Sequence, residues 1–273
     1  MASTSRLRRA LDGKRRQGQK ACGLFVTCGF PTIEDTLPVL RALDEGGVDF
    51  MELGMPFSDP LAEGPVIQRS SASAIAAGVD LETALDVAAD FRSGSDTPLL
   101  LMGYLNPIQS FGIRSFCSRA RVAGVDGLIL PELPPEEAGL IREAAGENEL
   151  DLVFLIAPNT PDDRIRLVDE AATGFVYAVS FTGLTGAALD DGSSEQQYLQ
   201  RARRLVSRNP LLVGFGITNR EQAGRMSRHT DGFIVGSALI RRIESLWEDR
   251  GRSQADRLAE LRAFAESLRI ESV

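Results

Sequence analysis

Three acids and a serine fall close together in the stretch FMELGMPFSDPLAEGPVIQRS, residues 50–70. Glu52 interrupts an apolar run, and Ser58, Asp59 and Glu63 follow in a segment broken by prolines and glycines. An acid among apolar neighbours costs free energy unless it is paired or stands at a pocket mouth. Two chemistries fit Glu52: a carboxylate taking a structural hydrogen bond, or a carboxylic acid whose pKa burial raises until it can donate a proton near neutrality. Asp59 and Glu63 read either as solvated loop residues or as the second half of an acid–base pair.

Two glycine-bearing segments late in the chain suggest an anion. VGFGITNRE holds Gly214 and Gly216, and IVGSALIRR holds Gly236 and Ser237 and runs straight into helix-like sequence. Backbone N–H groups at such a loop and helix start can cradle a phosphate, although glycines also serve simply to turn a chain. Tyr104 in MGYLNP and Tyr177 in FVYAVS end two apolar runs, where they either line a flat pocket or pack the core. The long segment SFTGLTGAALDDGSSEQQ, rich in small polar residues, reads as a lid over a site or as ordinary disorder.

Eight apolar runs, beginning near Gly23, Asp49, Leu99, Gly127, Leu152, Phe175, Leu211 and Gly232, would have to position these groups. Several are continuous rather than alternating, as parallel strands covered on both faces require. Between them lie helical periods such as TIEDTLPVLRALDEGG and DLETALDVAADFRS, the latter with Leu81, Leu85 and Ala88 on one face. The pattern predicts a (β/α)8 TIM barrel, one domain over residues 1–273, whose chemistry sits at the C-terminal ends of the strands. A leading helix with Leu7 and Leu11 four apart precedes it, and the sequence does not show whether its Arg8–Arg9 and Arg15–Arg16 pairs do more than solvate it. A closing helix places Leu258, Leu261, Phe264 and Leu268 together. An open doubly wound sheet fits less well, because CGFPTIEDT after the first run lacks the dinucleotide-binding glycine pattern.

Composition narrows the functions. The 273 residues carry a formal charge of −8, which disfavours nucleic-acid or anionic-membrane partners. No apolar run approaches the roughly 18 residues of a membrane span. Cys22, Cys28 and Cys117 lack metal-ligand spacing, and the one histidine, His229, leads into the eighth run rather than following it. A cytoplasmic protein without a metal is expected. Phosphosugar isomerases and aldolases of this fold usually need lysine or histidine at a strand end, and none stands there.

ELGMPFSDPLAEGPVIQ, MGYLNP, GVDGLILPELPPEE, FLIAPNTPDDR, YAVSFTGLTGA, VGFGI and VGSAL together resemble the alpha subunit of tryptophan synthase, from about Phe25 to the final helix. The resemblance implies a lyase that converts indole-3-glycerol phosphate to indole and glyceraldehyde 3-phosphate. It implies no cofactor of its own, and a pyridoxal-phosphate-dependent beta partner in an alpha2beta2 assembly. By the same resemblance Glu52 and Glu63 match the catalytic carboxylates, and Phe25, Ile67 and Ile129 match apolar contacts to the indole. Tyr104 and Tyr177 match pocket aromatics, and Thr185 matches a threonine that bonds the second carboxylate. Gly186, Gly214, Gly216, Gly236 and Ser237 match phosphate binders. Asp59, with Glu132 beside the alpha–beta contact region, matches residues of partner communication. Two departures stand out: the family usually has aspartate at positions 63 and 132. They leave open a standalone or specialised indole-producing lyase, or a weakly catalytic subunit that activates a beta partner.

Overall fold

A computed structural model describes residues 5–58, 60, 63–180, 193–214 and 216–270. Helix α1 (Arg6–Arg16) precedes strand β1 (Ala21–Thr27), followed by α2 (Ile33–Glu45), β2 (Phe50–Gly54), α3 (Pro65–Ala76) and α4 (Leu81–Arg92). Then come β3 (Leu99–Met102), α5 (Leu105–Phe111), α6 (Ile113–Val122), β4 (Gly127–Ile129), α7 (Gly139–Glu147) and β5 (Asp151–Ile156). The chain continues through α8 (Asp162–Ala171), β6 (Val176–Val179), α9 (Ser193–Leu205), β7 (Leu211–Gly214) and α10 (Arg220–Met226). It ends with β8 (Gly232–Val235), α11 (Ser237–Glu248) and α12 (Gln254–Leu268). The strands pair in parallel, in sequence order, and β8 closes on β1. This is the expected (β/α)8 barrel with an added N-terminal helix.

The strands are almost wholly buried because helices cover one face and packed side chains fill the other. The expected helix faces also hold. Leu85, Ala88, Leu261 and Leu268 are buried, with Leu81, Leu258 and Phe264 packed at the edge of the core. One element departs from expectation. The residues after Glu63 form α3 rather than more loop, because Pro65 occupies the first helical turn, where its missing N–H costs nothing. Serines at its buried positions Ser70 and Ser71 hide the apolar face from a hydropathy pattern.

The N-terminal end of the barrel is held by a repeated polar device. Asp49, ahead of β2, accepts the Cys22 N–H of β1 at 2.8 Å. Asp126, ahead of β4, accepts the Leu99 N–H of β3 at 2.9 Å, and Asp231, ahead of β8, accepts the Leu211 N–H of β7 at 2.8 Å. In the remaining pair Thr173 Oγ1 takes the Leu152 N–H of β5 at 2.8 Å. Each contact satisfies a backbone donor that would otherwise be lost at a buried strand start.

Helix α1 then lies across this end and neutralises the aspartates. Lys14 reaches Asp49 at 2.9 Å, Arg6 reaches Asp126 at 2.5 Å, and Arg15 approaches Asp231 at 3.9 Å. Ser5, its N-cap, donates to Asp151, while Leu7 and Leu11 are buried beneath it. Arg8 reaches Asn209 Oδ1 and the Arg208 carbonyl. The basic residues of α1 are therefore partly a lock, not merely a solvated face. At Asp126, burial raises the carboxyl pKa against the pull of the Leu99 N–H, Arg92 and Arg6. Such a buried pair adds little net stability while intact, yet removing one partner strands the others. Asp126→Ala is accordingly expected to cost about 3 kcal/mol in urea unfolding, far more than removing any exposed ion pair of this chain.

Candidate active site

At the opposite end, the C-terminal ends of the strands, a cavity opens around Glu52. Tyr177 of its lining belongs to a run of packed rings: Phe50 lies 5.6 Å from Phe175, and Phe175 lies 5.9 Å from Tyr177, centroid to centroid. Glycines make these rings fit. A Cβ on Gly23 would stand 2.2 Å from the Phe50 ring, and one on Gly54 would stand 2.5 Å from the Phe25 ring.

Glu52 stands beside Phe25 of β1 and Leu100 of β3 in the strand register. It is 0% exposed, and neither carboxylate oxygen has a hydrogen-bond partner. A charge there would have no protein donor to stabilise it, and burial raises the Glu52 pKa from 4.5 to about 8. Tyr177 is its buried neighbour, the phenol pushed up by burial and then by the Glu52 charge.

Glu63 enters from the segment before α3. It is half-buried, with Oε2 sealed and unpartnered. Burial, followed by the charge of Glu132, raises its pKa from 4.5 to about 7. Glu132 itself is exposed and accepts the Leu105 N–H at the start of α5 at 2.6 Å.

The cavity wall joins these acids to Phe25, Ile67, Tyr177, Gly216, Gly236 and Ser237. Gly216 has φ +76°, a left-handed conformation suited to glycine. Gly236 is the N-cap of α11 and has no side-chain cap. The Ile240 N–H donates to the Gly236 carbonyl at 3.1 Å, so the N–H groups ahead of it have no acceptor within the helix. That helix start offers unpaired donors and the positive end of the helix dipole to an anion.

Other expected residues stand elsewhere. Ile129 is fully buried beside Met102 in the register and does not line the cavity. Tyr104 is the N-cap of α5 and stacks on Phe57 at 4.8 Å, away from the lining. Gly214 pairs with Val179 in the sheet, and its missing side chain makes room for Tyr177, whose hydroxyl lies 2.2 Å from where a Cβ would be. Asp59, Thr185, Gly186 and the lid expected around the last two lie outside the described residues. His229 lies ahead of β8, at the barrel end remote from the cavity.

Two lining residues, Met102 and Ile234, were not among the expected set. The strand period contains the signal for the second, since Gly232, Ile234 and Gly236 share one face of β8. Phe25, Ile67, Met102 and Ile234 give the cavity an apolar lining that also holds both acids, Gly216 and the start of α11. Such a site fits a flat apolar ring bearing an anionic tail, with a proton donated by one carboxyl and accepted by the other. Among the described residues no group of three or more His, Cys, Asp or Glu is placed to hold a metal ion.

Comparison with known proteins agrees with this geometry. A family profile described as tryptophan synthase alpha chain matches residues 11–269. The tryptophan synthase alpha chain of Dehalococcoides mccartyi is 44% identical over 229 residues, 84% of this chain and 89% of that protein. That of Gluconacetobacter diazotrophicus is 41% identical over 265 residues, covering 97% of this chain and 96% of its own. The crystal structure of tryptophan synthase subunit alpha from Legionella pneumophila superposes with a TM-score of 0.88 at 36% identity, covering 97% of each chain.

Burial of Glu52 has a stability consequence with a definite sign. Its folded pKa of about 8 lies above the ordinary 4.5, so between these values the folded state holds a proton that the unfolded state has released. Stability falls as pH rises through that window and levels off above it. Glu52→Gln removes this term while placing an amide in the same space at every pH. Its stability relative to the parent chain is expected to improve by on the order of 4 kcal/mol between pH 5 and 9, measured by urea unfolding at both pH values.

Proposed function

The chain belongs to the tryptophan synthase alpha chain family, and on that premise we propose that it cleaves indole-3-glycerol phosphate to indole and glyceraldehyde 3-phosphate. The observation that carries the proposal is the placement of Glu52 and Glu63 in one apolar slot with the start of α11. The indole ring lies against Phe25 and Ile67, and its phosphate takes backbone donors at Gly216, Gly236 and Ser237. Grip on the phosphate fixes the far end of the substrate and brings the reacting carbon to Glu52.

Glu52, protonated, delivers its proton to C3 of the indole while Glu63, ionised, takes the proton from the ring nitrogen. The ring is now the imine tautomer, an electron sink. The Glu52 carboxylate then removes the proton from the hydroxyl on the side-chain carbon attached to C3. As that carbon becomes an aldehyde, the bond to C3 breaks and its electron pair restores the indole double bond. Glu63 returns its proton to nitrogen, and both carboxyls finish as they began. Tyr177 borders the slot where the glycerol chain reacts.

The chain acts as one barrel domain, in the cytoplasm, with no cofactor of its own. Among the described residues no helix is long and apolar enough to cross a membrane, which is compatible with that location. A beta subunit carrying pyridoxal phosphate completes an alpha2beta2 assembly, and exposed Glu132 faces it.

Incubating the purified chain with indole-3-glycerol phosphate, alone and with a beta subunit, is expected to release indole; release in neither case overturns the proposal. The two carboxyls also set the pH dependence. kcat/KM is expected to rise with pH as Glu63 ionises near about 7 and to fall as Glu52 loses its proton near about 8. Because the pocket is built around the longer side chain at position 63, Glu63→Asp is expected to lower kcat by between about 10- and 100-fold. A faster variant would show that glutamate handicaps the site.

A further inference from the structure

The mechanism requires Glu63 to stand in one place, yet its carboxylate has an oxygen with no partner to hold it there. What holds it is the backbone on either side. The Glu63 N–H donates to the Pro60 carbonyl at 3.3 Å, and the Glu63 carbonyl accepts from Gln68 Nε2 at 2.9 Å. Gln68 also reaches the Pro60 carbonyl at 3.4 Å, and its N–H donates to the Gly64 carbonyl at 3.1 Å. Gln68 belongs to α3, so Glu63 is only as well placed as that helix.

The helix in turn is pinned to the barrel by two buried hydroxyls. Thr27 at the end of β1 is 0% exposed and Ser70 of α3 is 1% exposed, and their oxygens lie 2.7 Å apart. Ser70 Oγ lies 2.8 Å from the Ile67 carbonyl, which can only accept. The Ser70 proton is therefore committed to Ile67, and Thr27 must be the donor to Ser70. The result is a one-directional chain from β1 through Thr27 and Ser70 to Ile67, itself a wall of the cavity.

We propose that Ser70, with Thr27 and Gln68, is a positioning residue of the reaction: the latch sets α3 on β1 and thereby sets Glu63 against the substrate ring. This rests on the lyase reading given above. None of the three touches the reacting atoms. The signature of the latch is a loss in the chemical step without loss of substrate binding, because the anion site at α11 is built on another element.

The test compares the full chain with its Ser70→Ala, Thr27→Val and Thr27→Ser variants and with the Ser70→Ala/Thr27→Val double variant. Kinetics with indole-3-glycerol phosphate are measured beside amide hydrogen exchange. Ser70→Ala and Thr27→Val are each expected to lower kcat about tenfold with KM changed less than about twofold. The double variant is expected to be no worse than either single one, since both break one chain. Thr27→Ser keeps the hydroxyl and is expected to retain kcat. Exchange over residues 63–70 is expected to quicken about tenfold in Ser70→Ala, with α11 unchanged. A Ser70→Ala variant that loses thermal stability but keeps kcat overturns the proposal, as does a Thr27→Ser variant as slow as Thr27→Val. If the parent chain releases no indole, the lyase reading fails. Exchange then decides the latch alone: unchanged exchange at 63–70 in Ser70→Ala overturns it, and quickened exchange upholds it.

Discussion

A carboxyl group sealed inside a barrel with neither oxygen hydrogen-bonded is the constraint to which the rest of this structure answers. A protein interior tolerates Glu52 there only as the neutral acid, because ionisation would place a charge where no donor meets it. That keeps the group protonated near neutrality, the form the proposed proton transfer needs. It also requires a dry, apolar setting, and the chain supplies one with Phe25, Phe50, Phe175 and Tyr177. These rings fit only because Gly23, Gly54 and Gly214 have no side chains to meet them. The acid, the rings and the glycines form one device.

The other end of the molecule treats its buried acids differently. The barrel end near α1 is closed by strand-leading aspartates that satisfy backbone donors and are in turn neutralised by Lys14, Arg6 and Arg15. There every buried charge has a partner. At the catalytic end the two principal acids have unpartnered oxygens, and both pKa values rise. The separation follows the usual division of this fold, with stability concentrated at one end and chemistry at the other.

Much of this was legible in the sequence. Apolar runs, several of them continuous because those strands are buried on both faces, marked all eight strands. Glu52 stood out because an acid in such a run needs an explanation. The glycines near β7 and β8 pointed to an anion site, and Gly216 and Gly236 do line the cavity. Where the sequence was less legible, the cause was tertiary. Gly214 looked like its neighbours, but its missing side chain serves the ring of Tyr177, a contact across two strands. The role of the arginines of α1 could not be read because partners such as Asn209 and Asp231 lie more than two hundred residues away. Helix α3 was hidden by its buried serines, one of which accepts a hydrogen bond from Thr27 across the chain. Tyr104 and Ile129 sit at strand ends, as pocket residues would, yet one stacks on Phe57 and the other fills the core.

The central claim is that Glu52 is a neutral acid at working pH and remains so because of its surroundings. Infrared difference spectroscopy of the parent chain against Glu52→Gln isolates the carbonyl stretch of this one carboxylic acid. The account predicts that the band is present at pH 7 and disappears with a midpoint near about 8 as the group ionises. A carboxylate signal for Glu52 already present at pH 6 would contradict it.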